Sequence, residues 1–191
     1  MASQPPPPAF KIAPSLQPYQ ITPAAYIIQH PIAHFIASGI VAHADRILLL
    51  QRSPHDVFGL HWEVPGGMPE GTEENVLTVA VRELWEETGL RAVRVTDLVD
   101  ETHDWVHAGE VWRKVTFLME VEETAGNGDG RPVVRLAEEH VDCVWASEEE
   151  VRAGRCEGRV LEWTSPEQER TVLRAFELLR VMFDTQWVHI A

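Results

Sequence analysis

Nine consecutive residues, Arg82-Glu83-Leu84-Trp85-Glu86-Glu87-Thr88-Gly89-Leu90, constrain this chain more than any other stretch. At about 100° per residue on a helix, Glu83, Glu86 and Glu87 fall near 0°, −60° and +40°, so the three carboxylates share a sector of roughly 100°. They repel one another, and near a helix C-terminus each opposes the helix dipole by about 0.3–1 kcal/mol. A purely structural helix would carry lysine there. The pattern makes sense when a cation neutralises it. Hard carboxylate oxygens, with no Cys or His cluster at ligand spacing nearby, select magnesium or manganese over zinc. Leu77, Ala80, Val81 and Leu84 supply the apolar stripe beside the acids and Gly89 a stop, which predicts a helix over 74–88.

Upstream, Trp62-Glu63-Val64-Pro65-Gly66-Gly67 reads as a short strand entering a glycine loop, and Glu70-Gly71-Thr72-Glu73-Glu74 leads into the helix. Together these residues resemble the Nudix box, G-x5-E-x7-R-E-U-x-E-E-x-G-U with U a bulky aliphatic residue. The C-terminal half matches from Arg82 to Leu90, and the glycine-rich entry resembles fungal Nudix-domain proteins in particular. In the N-terminal half one residue is extra. Counting from Gly67 puts the first glutamate at Glu73, and counting back from Arg82 puts it at Glu74; helix register is rigid and a loop insertion cheap, which favours Glu74.

The resemblance implies a Nudix fold, an α/β/α sandwich around a mixed β-sheet. It also implies a magnesium- or manganese-dependent pyrophosphohydrolase that cuts a nucleoside diphosphate linked to a further moiety by attack of water on phosphorus. It assigns metal ligation to Glu83, Glu86, Glu87 and the carbonyl of Gly67, and to Arg82 the orienting of the glutamates. The general base is Glu83 or one of Glu138 and Glu139, which precede the strand ending in Trp145; Glu139 is preferred. Arg52, at the end of a strand, is a candidate phosphate contact. Arg113 and Lys114 point to opposite faces of their strand, so at most one faces the site; Arg113 is taken as that contact. His103, Trp105 and His107 lie where the family varies its substrate loop, and Trp105 is a candidate substrate contact. A catalytically inactive nucleotide-binding or sensor module is the alternative, with the one-residue insertion its only support.

The net charge of −14 argues against a protein whose affinity comes from neutralising a nucleic-acid backbone. A small nucleotide-diphosphate substrate is expected instead. Only Cys143 and Cys156 are present and there is no CxxC, which suits a reducing, cytoplasmic setting. No apolar stretch reaches the roughly 20 residues of a membrane helix, and neither a signal nor a transit peptide pattern is seen.

Residues 1–33 form a Pro-rich N-terminal arm, and 34–191 the Nudix domain. Pro5 to Pro8, Pro14, Pro18, Pro23 and Pro31 predict extended backbone, with disorder over 1–15. Tyr19-Gln20-Ile21 and Tyr26-Ile27-Ile28 offer edge strands, or surfaces that pack on the body or on a second copy of the chain as a homodimer. Strands are expected at His34 to His43 and Arg46 to Gln51 around an Ala44-Asp45 turn. Further strands are expected at 91–99 and 111–121, the latter apolar on both faces and so central. His103 and His107 are placed beside a loop, and 123–130 reads as another. Ser147 with Glu150 forms a capping-box pattern, and Ser165-Pro166 opens a last helix with Val172, Leu173, Phe176, Leu179 and Phe183 facing the core.

Overall fold

The structure, a computed structural model, describes residues 9–71, 73–122 and 130–188, with the backbone alone for 183–188. In chain order the elements are β1 (Lys11–Ile12), a 3-10 turn (Pro14–Tyr19), α1 (Pro23–Gln29), β2 (His34–His43) and β3 (Arg46–Arg52). Then follow β4 (Trp62–Glu63), β5 (Gly66–Gly67), α2 (Val76–Thr88), β6 (Ala92–His107), β7 (Glu110–Val121) and β8 (His140–Ser147). α3 (Glu148–Arg152), β9 (Arg155–Cys156), β10 (Arg159–Val160) and α4 (Pro166–Val188) complete the chain.

The β2–β3 hairpin turns at Ala44 and Asp45, with Ala44 in the left-handed region at φ 53° in place of the usual glycine. Along most of its length β2 pairs with β7 in parallel, and only Ala42 and His43 pair with β3. It therefore carries the sheet from one group of strands to the next, in the order β1-β6-β7-β2-β3-β4, with β8 on β3 and β5 on β2. β7 is central between β6 and β2, as its two apolar faces require.

Each sheet face buries its own core. On one lie Leu77, Ala80, Val81 and Leu84 of α2 with Phe35 and Phe117; on the other, Val172, Ala175 and Phe176 of α4 pack with Ile40, Leu49 and Trp62. Helices on both faces of a mixed sheet make an α/β/α sandwich. The capping box at α3 is present: Ser147 Oγ accepts from the Glu150 amide at 3.3 Å and the Glu150 carboxylate accepts from the Ser147 amide at 2.9 Å. Residues 123–129 and the side chains of Phe183 and Trp187 lie outside the described residues.

Two expectations are corrected. The proline-rich segment is not extended over 9–33. Pro14 and Pro23 each sit at a helical first position, where a missing N–H costs nothing, and the Thr22 side chain caps α1 by accepting from the Ala25 amide at 3.2 Å. Leu16 and Tyr26 are 1 % exposed in the α2-side core, and β1 adds in parallel to β6. Nor does a loop interrupt residues 100–107. β6 and β7 form one long hairpin turning at Ala108 and Gly109, with Trp105 opposite Trp112 and their rings stacked at 5.9 Å. That aromatic pair extends the ladder past the point where the apolar pattern of β6 fades.

Candidate active site

The acids of α2 are held in place from both ends of the helix. Asn75 caps the start, accepting from the Thr78 amide at 3.0 Å, and Gly89 stops it at φ 69°. Of the β5 glycines, Gly67 approaches the Glu83 side chain of the helix and Gly66 approaches β2 so closely that a side chain at either would require the neighbour to shift. A Cβ on Gly67 would lie 2.3 Å from Glu83 Oε1, and a Cβ on Gly66 the same distance from Ser38 Oγ. In this contact the Gly66 amide donates to Glu87 Oε2 at 2.9 Å.

Arg82 ties the motif together. Its guanidinium donates to Glu86 at 2.7 Å and to the Met68 carbonyl at 2.8 Å, and lies 2.9 Å from both Glu73 and Glu83. Glu73 also accepts from the Glu70 amide at 2.8 Å and the Gly71 amide at 2.9 Å, whereas Glu74 is exposed. The first glutamate of the box is therefore Glu73, which corrects the choice of Glu74. The extra residue is absorbed at 74–75, after the acid is anchored and before the first turn of α2; the anchoring amides belong to the upstream loop and fix the register from that side.

Burial and like charge combine here. Burial pushes the Glu83 carboxyl up to about 7 against the pull of Arg82, and Glu86 and Glu139 push the same way. Glu87 is raised well above its ordinary value by burial, then by Glu63 and Glu83, with Glu139 adding to them. Glu63 goes the other way. Against the cost of burial, a hydrogen bond from His140 and the charges of Lys114 and Arg52 hold it below the usual carboxylate range. A divalent cation suits this donor set: hard oxygens from one helix face, with more negative charge than Arg82 can offset. Among the described residues no three such side chains form a closed cage as they stand, since Arg82 draws Glu83 and Glu86 onto itself.

A cleft of about 590 Å³ opens at Glu63, lined also by Arg52, Phe58, His103, Trp105 and Lys114, among others. Glu63 belongs both to its wall and to the charges acting on Glu87. Neither this cleft nor a larger hollow of about 760 Å³, along Thr96, Leu118, Glu120 and Leu179, is lined by the α2 acids themselves; only the cleft includes Glu63, whose charge reaches Glu87.

Of the residues singled out in the sequence, Glu83, Glu86, Glu87, Gly67 and Arg82 come together, and the charge of Glu139 reaches both Glu83 and Glu87. Arg52 lines the cleft but is engaged by Glu63, Asp56 and the Val57 carbonyl. Trp105 lines the cleft as a strand residue. Arg113 is not among the residues lining the cleft: it forks onto Asp104, which is, at 2.7 and 2.9 Å, and meets His30 at 2.9 Å. Strand alternation gives the cleft to Lys114 instead. Glu63, His140 and Gln168 were not anticipated. Glu63 stands in the motif Trp62-Glu63-Val64-Pro65, and an acid buried in so apolar a run was the available signal.

Comparison with known proteins follows the same lines. The chain is 40% identical over 72 residues to the RNA pyrophosphohydrolase of Agrobacterium fabrum, covering 37% of this chain and 39% of that protein. It is 43% identical over 65 residues to the RNA pyrophosphohydrolase of Rhizobium meliloti, covering 34% and 36%. The match thus spans well under half the length of these curated relatives. Among solved structures, the MutT protein from Methanosarcina mazei superposes with a TM-score of 0.58 at 21% identity, over 77% of this chain and 94% of that one. A Caenorhabditis elegans Ap4A hydrolase gives 0.57 at 20% identity, over 78% and 98%. These likenesses establish the fold. The NUDIX domain family model matches residues 33–173, most of the chain, and with the sandwich and the box geometry just described the chain belongs to the Nudix family.

Proposed function

We propose that this chain is a magnesium- or manganese-dependent pyrophosphohydrolase acting on a small nucleoside diphosphate derivative. The observation that carries the reading is geometric: Glu83, Glu86 and Glu87 come from one helix, with Arg82 2.9 and 2.7 Å from the first two and the Gly66 amide donating to the third, and burial and like charge raise Glu83 and Glu87 there. A site that holds its carboxylates this far from their preferred charge is arranged for a cation and a phosphate.

Glu83, Glu86 and Glu87 would hold the metal, which when bound neutralises phosphate charge and polarises the attacking water. Arg82 orients Glu83 and Glu86 by charge-assisted hydrogen bonds, and Glu73 orients Arg82 in turn. Glu139, exposed and with its charge acting on Glu83 and Glu87, would take the proton of the water that attacks phosphorus. Lys114 brings the one buried ammonium to the cleft. Among the described residues no helix is long and apolar enough to cross a membrane.

The test is release of phosphate or pyrophosphate with magnesium or manganese from nucleotide sugars, dinucleoside polyphosphates, ADP-ribose and nucleoside triphosphates. A 5′-triphosphorylated oligoribonucleotide joins the panel because two relatives are named RNA pyrophosphohydrolases. Metal-dependent turnover that falls by orders of magnitude in Glu87→Gln is the expected result. Binding without cleavage of any member would overturn it in favour of a sensor module.

A further inference from the structure

One wall of the cleft carries polar heads to which the proposed chemistry gives no step. Lys114 is 7 % exposed, yet among the described residues its ammonium makes one hydrogen bond, to Gln168 Oε1 at 2.7 Å, and no carboxylate pairs with it within ion-pair distance, although the charges of Glu63 and Glu87 reach it. A buried ammonium has three N–H groups to satisfy, so Lys114 holds unspent donors at the cleft wall. Its cross-strand partner is His103, also in the wall. His103 Nε2 meets Ser165 Oγ at 3.3 Å while its buried Nδ1 has no partner. Burial and the nearby Lys114 charge lower the imidazole's affinity for a proton, which keeps the ring neutral and one nitrogen free to accept. Ser165 Oγ already accepts from the Gln168 amide at 3.1 Å and has room for a second hydrogen bond; in the tautomer whose Nε2–H donates to it, the acceptor is Nδ1.

Aromatic surfaces flank this donor and acceptor. Trp105 lies two residues from His103 on the same face of β6, their rings 5.2 Å apart. Phe58 is 57 % exposed on the loop before β4, where Phe58 and Leu60 both hold left-handed backbone at φ 56° and 66°. Strain of that kind in two non-glycine residues persists where surrounding structure requires it, and here it accompanies an aromatic ring at the cleft wall. Glu63, Asp104 and Glu167 also line the cleft, and its other cation, Arg52, is already taken up by Glu63 and Asp56, so this wall disfavours a phosphate and favours a neutral group.

We infer that this wall is a base-specificity subsite for a nucleotide with a lactam edge, a ring carbonyl beside a ring N–H, as in hypoxanthine, guanine or uracil. Lys114 donates to the carbonyl, His103 Nδ1 accepts from the ring N–H, and Trp105 stacks on the base. Gln168 is a positioning residue that fixes the ammonium. Adenine presents the reverse pattern, an amino group toward Lys114 and a bare nitrogen toward His103, and is rejected because both buried heads stay unpaired. The inference rests on the reading of the chain as a nucleotide hydrolase but concerns binding, so it is tested without turnover.

Inosine 5′-diphosphate and adenosine 5′-diphosphate differ at this edge alone. Their affinities are measured in EDTA by quenching of tryptophan fluorescence and by calorimetry. The parent chain is expected to favour the inosine ligand at least about tenfold, the effect of one mismatched buried hydrogen-bonding group. Lys114→Met, which keeps the length of the side chain and is checked for folding by circular dichroism, is expected to bring the ratio close to one. Trp105→Ala is expected to weaken both ligands alike and keep the ratio. A parent ratio near one, or a ratio that survives Lys114→Met, overturns the subsite. So does inorganic pyrophosphate displacing both ligands in the parent but not in Lys114→Met, which would make the lysine a phosphate contact. If the ratio behaves as expected and no panel member is hydrolysed, the catalytic reading fails and the subsite stands.

Discussion

Alanine at position 73 should cost far more than alanine at position 74, although two adjacent glutamates of an acidic loop look interchangeable. The Glu73 carboxylate satisfies the amides of Glu70 and Gly71 at 2.8 and 2.9 Å and meets Arg82 at 2.9 Å, with its side chain 2% exposed. In Glu73→Ala the guanidinium keeps Glu83 and Glu86, and the exposed Gly71 amide regains water, so three lost contacts do not add in full. Hydrogen bonds to a charged acceptor are worth about 1.5–3 kcal/mol each before such relief, which leaves a net loss of roughly 2–4 kcal/mol. Exposed Glu74 has no such partners, and its alanine variant should stay within about 0.5 kcal/mol of the parent. For a chain of this size roughly 2–4 °C accompanies each kcal/mol, so Glu73→Ala should melt about 10 °C lower by circular dichroism in EDTA. Acid should close the gap. Despite burial, the backbone amides of Glu70 and of Glu73 itself, with Arg82, hold the Glu73 carboxyl below its ordinary value. Its stabilisation is therefore complete above that ordinary value and lost as pH falls through the lowered one. Equal losses at 73 and 74, or a gap that persists in strong acid, would refute the anchoring of the motif at Glu73.

Gly67→Ala places a methyl 2.3 Å from Glu83 Oε1; that carboxylate is a flexible end and can move, so the melting temperature should change little while metal-dependent turnover falls at least about tenfold. Leu16→Ala should cost about 2–5 kcal/mol in urea unfolding, which a loose N-terminal arm would not lose. In EDTA the chain should be less stable at pH 8 than at pH 5.5. The raised Glu83 carboxyl, at about 7, contributes stability in full below its ordinary value and loses it as pH rises through 7. Glu83→Gln should flatten that part of the profile, and magnesium should restore stability to the parent at pH 8.

What the sequence makes legible is whatever a single element specifies. Glu83, Glu86 and Glu87 declare a shared face because helix geometry alone brings them together, and the β2–β3 hairpin follows from apolar runs around a short polar turn. The central place of β7 follows from residues apolar on both faces. Long-range partners decide the rest. Lys114 reads as a surface lysine until β6, α4 and the loop before β4 close around it, and Glu63 gains Arg52 and His140 only through the β3–β4 and β3–β8 pairings. The register of Glu73 turned on two amides in the preceding loop, which no spacing rule weighs. Trp105 read as a loop residue because its stabilising neighbour, Trp112, sits across a turn whose position the local sequence marks weakly.

The parallel pairing of β1 with β6 also bears on how the chain reaches this structure. Lys11 and Ile12 meet Arg94 and Val95, and Tyr19 packs edge-on against Phe117 at 5.1 Å, so the first described segment closes onto strands roughly a hundred residues downstream. Parallel, non-local pairings of this kind form slowly because a long loop must close before any contact rewards it. During synthesis from the N-terminus, Leu16, Tyr19 and Tyr26 emerge well before their partners in β6 and β7. They must stay unpaired until the central strands are complete, which makes the docking of this segment a late event in folding and the interval before it the chain's most aggregation-exposed one.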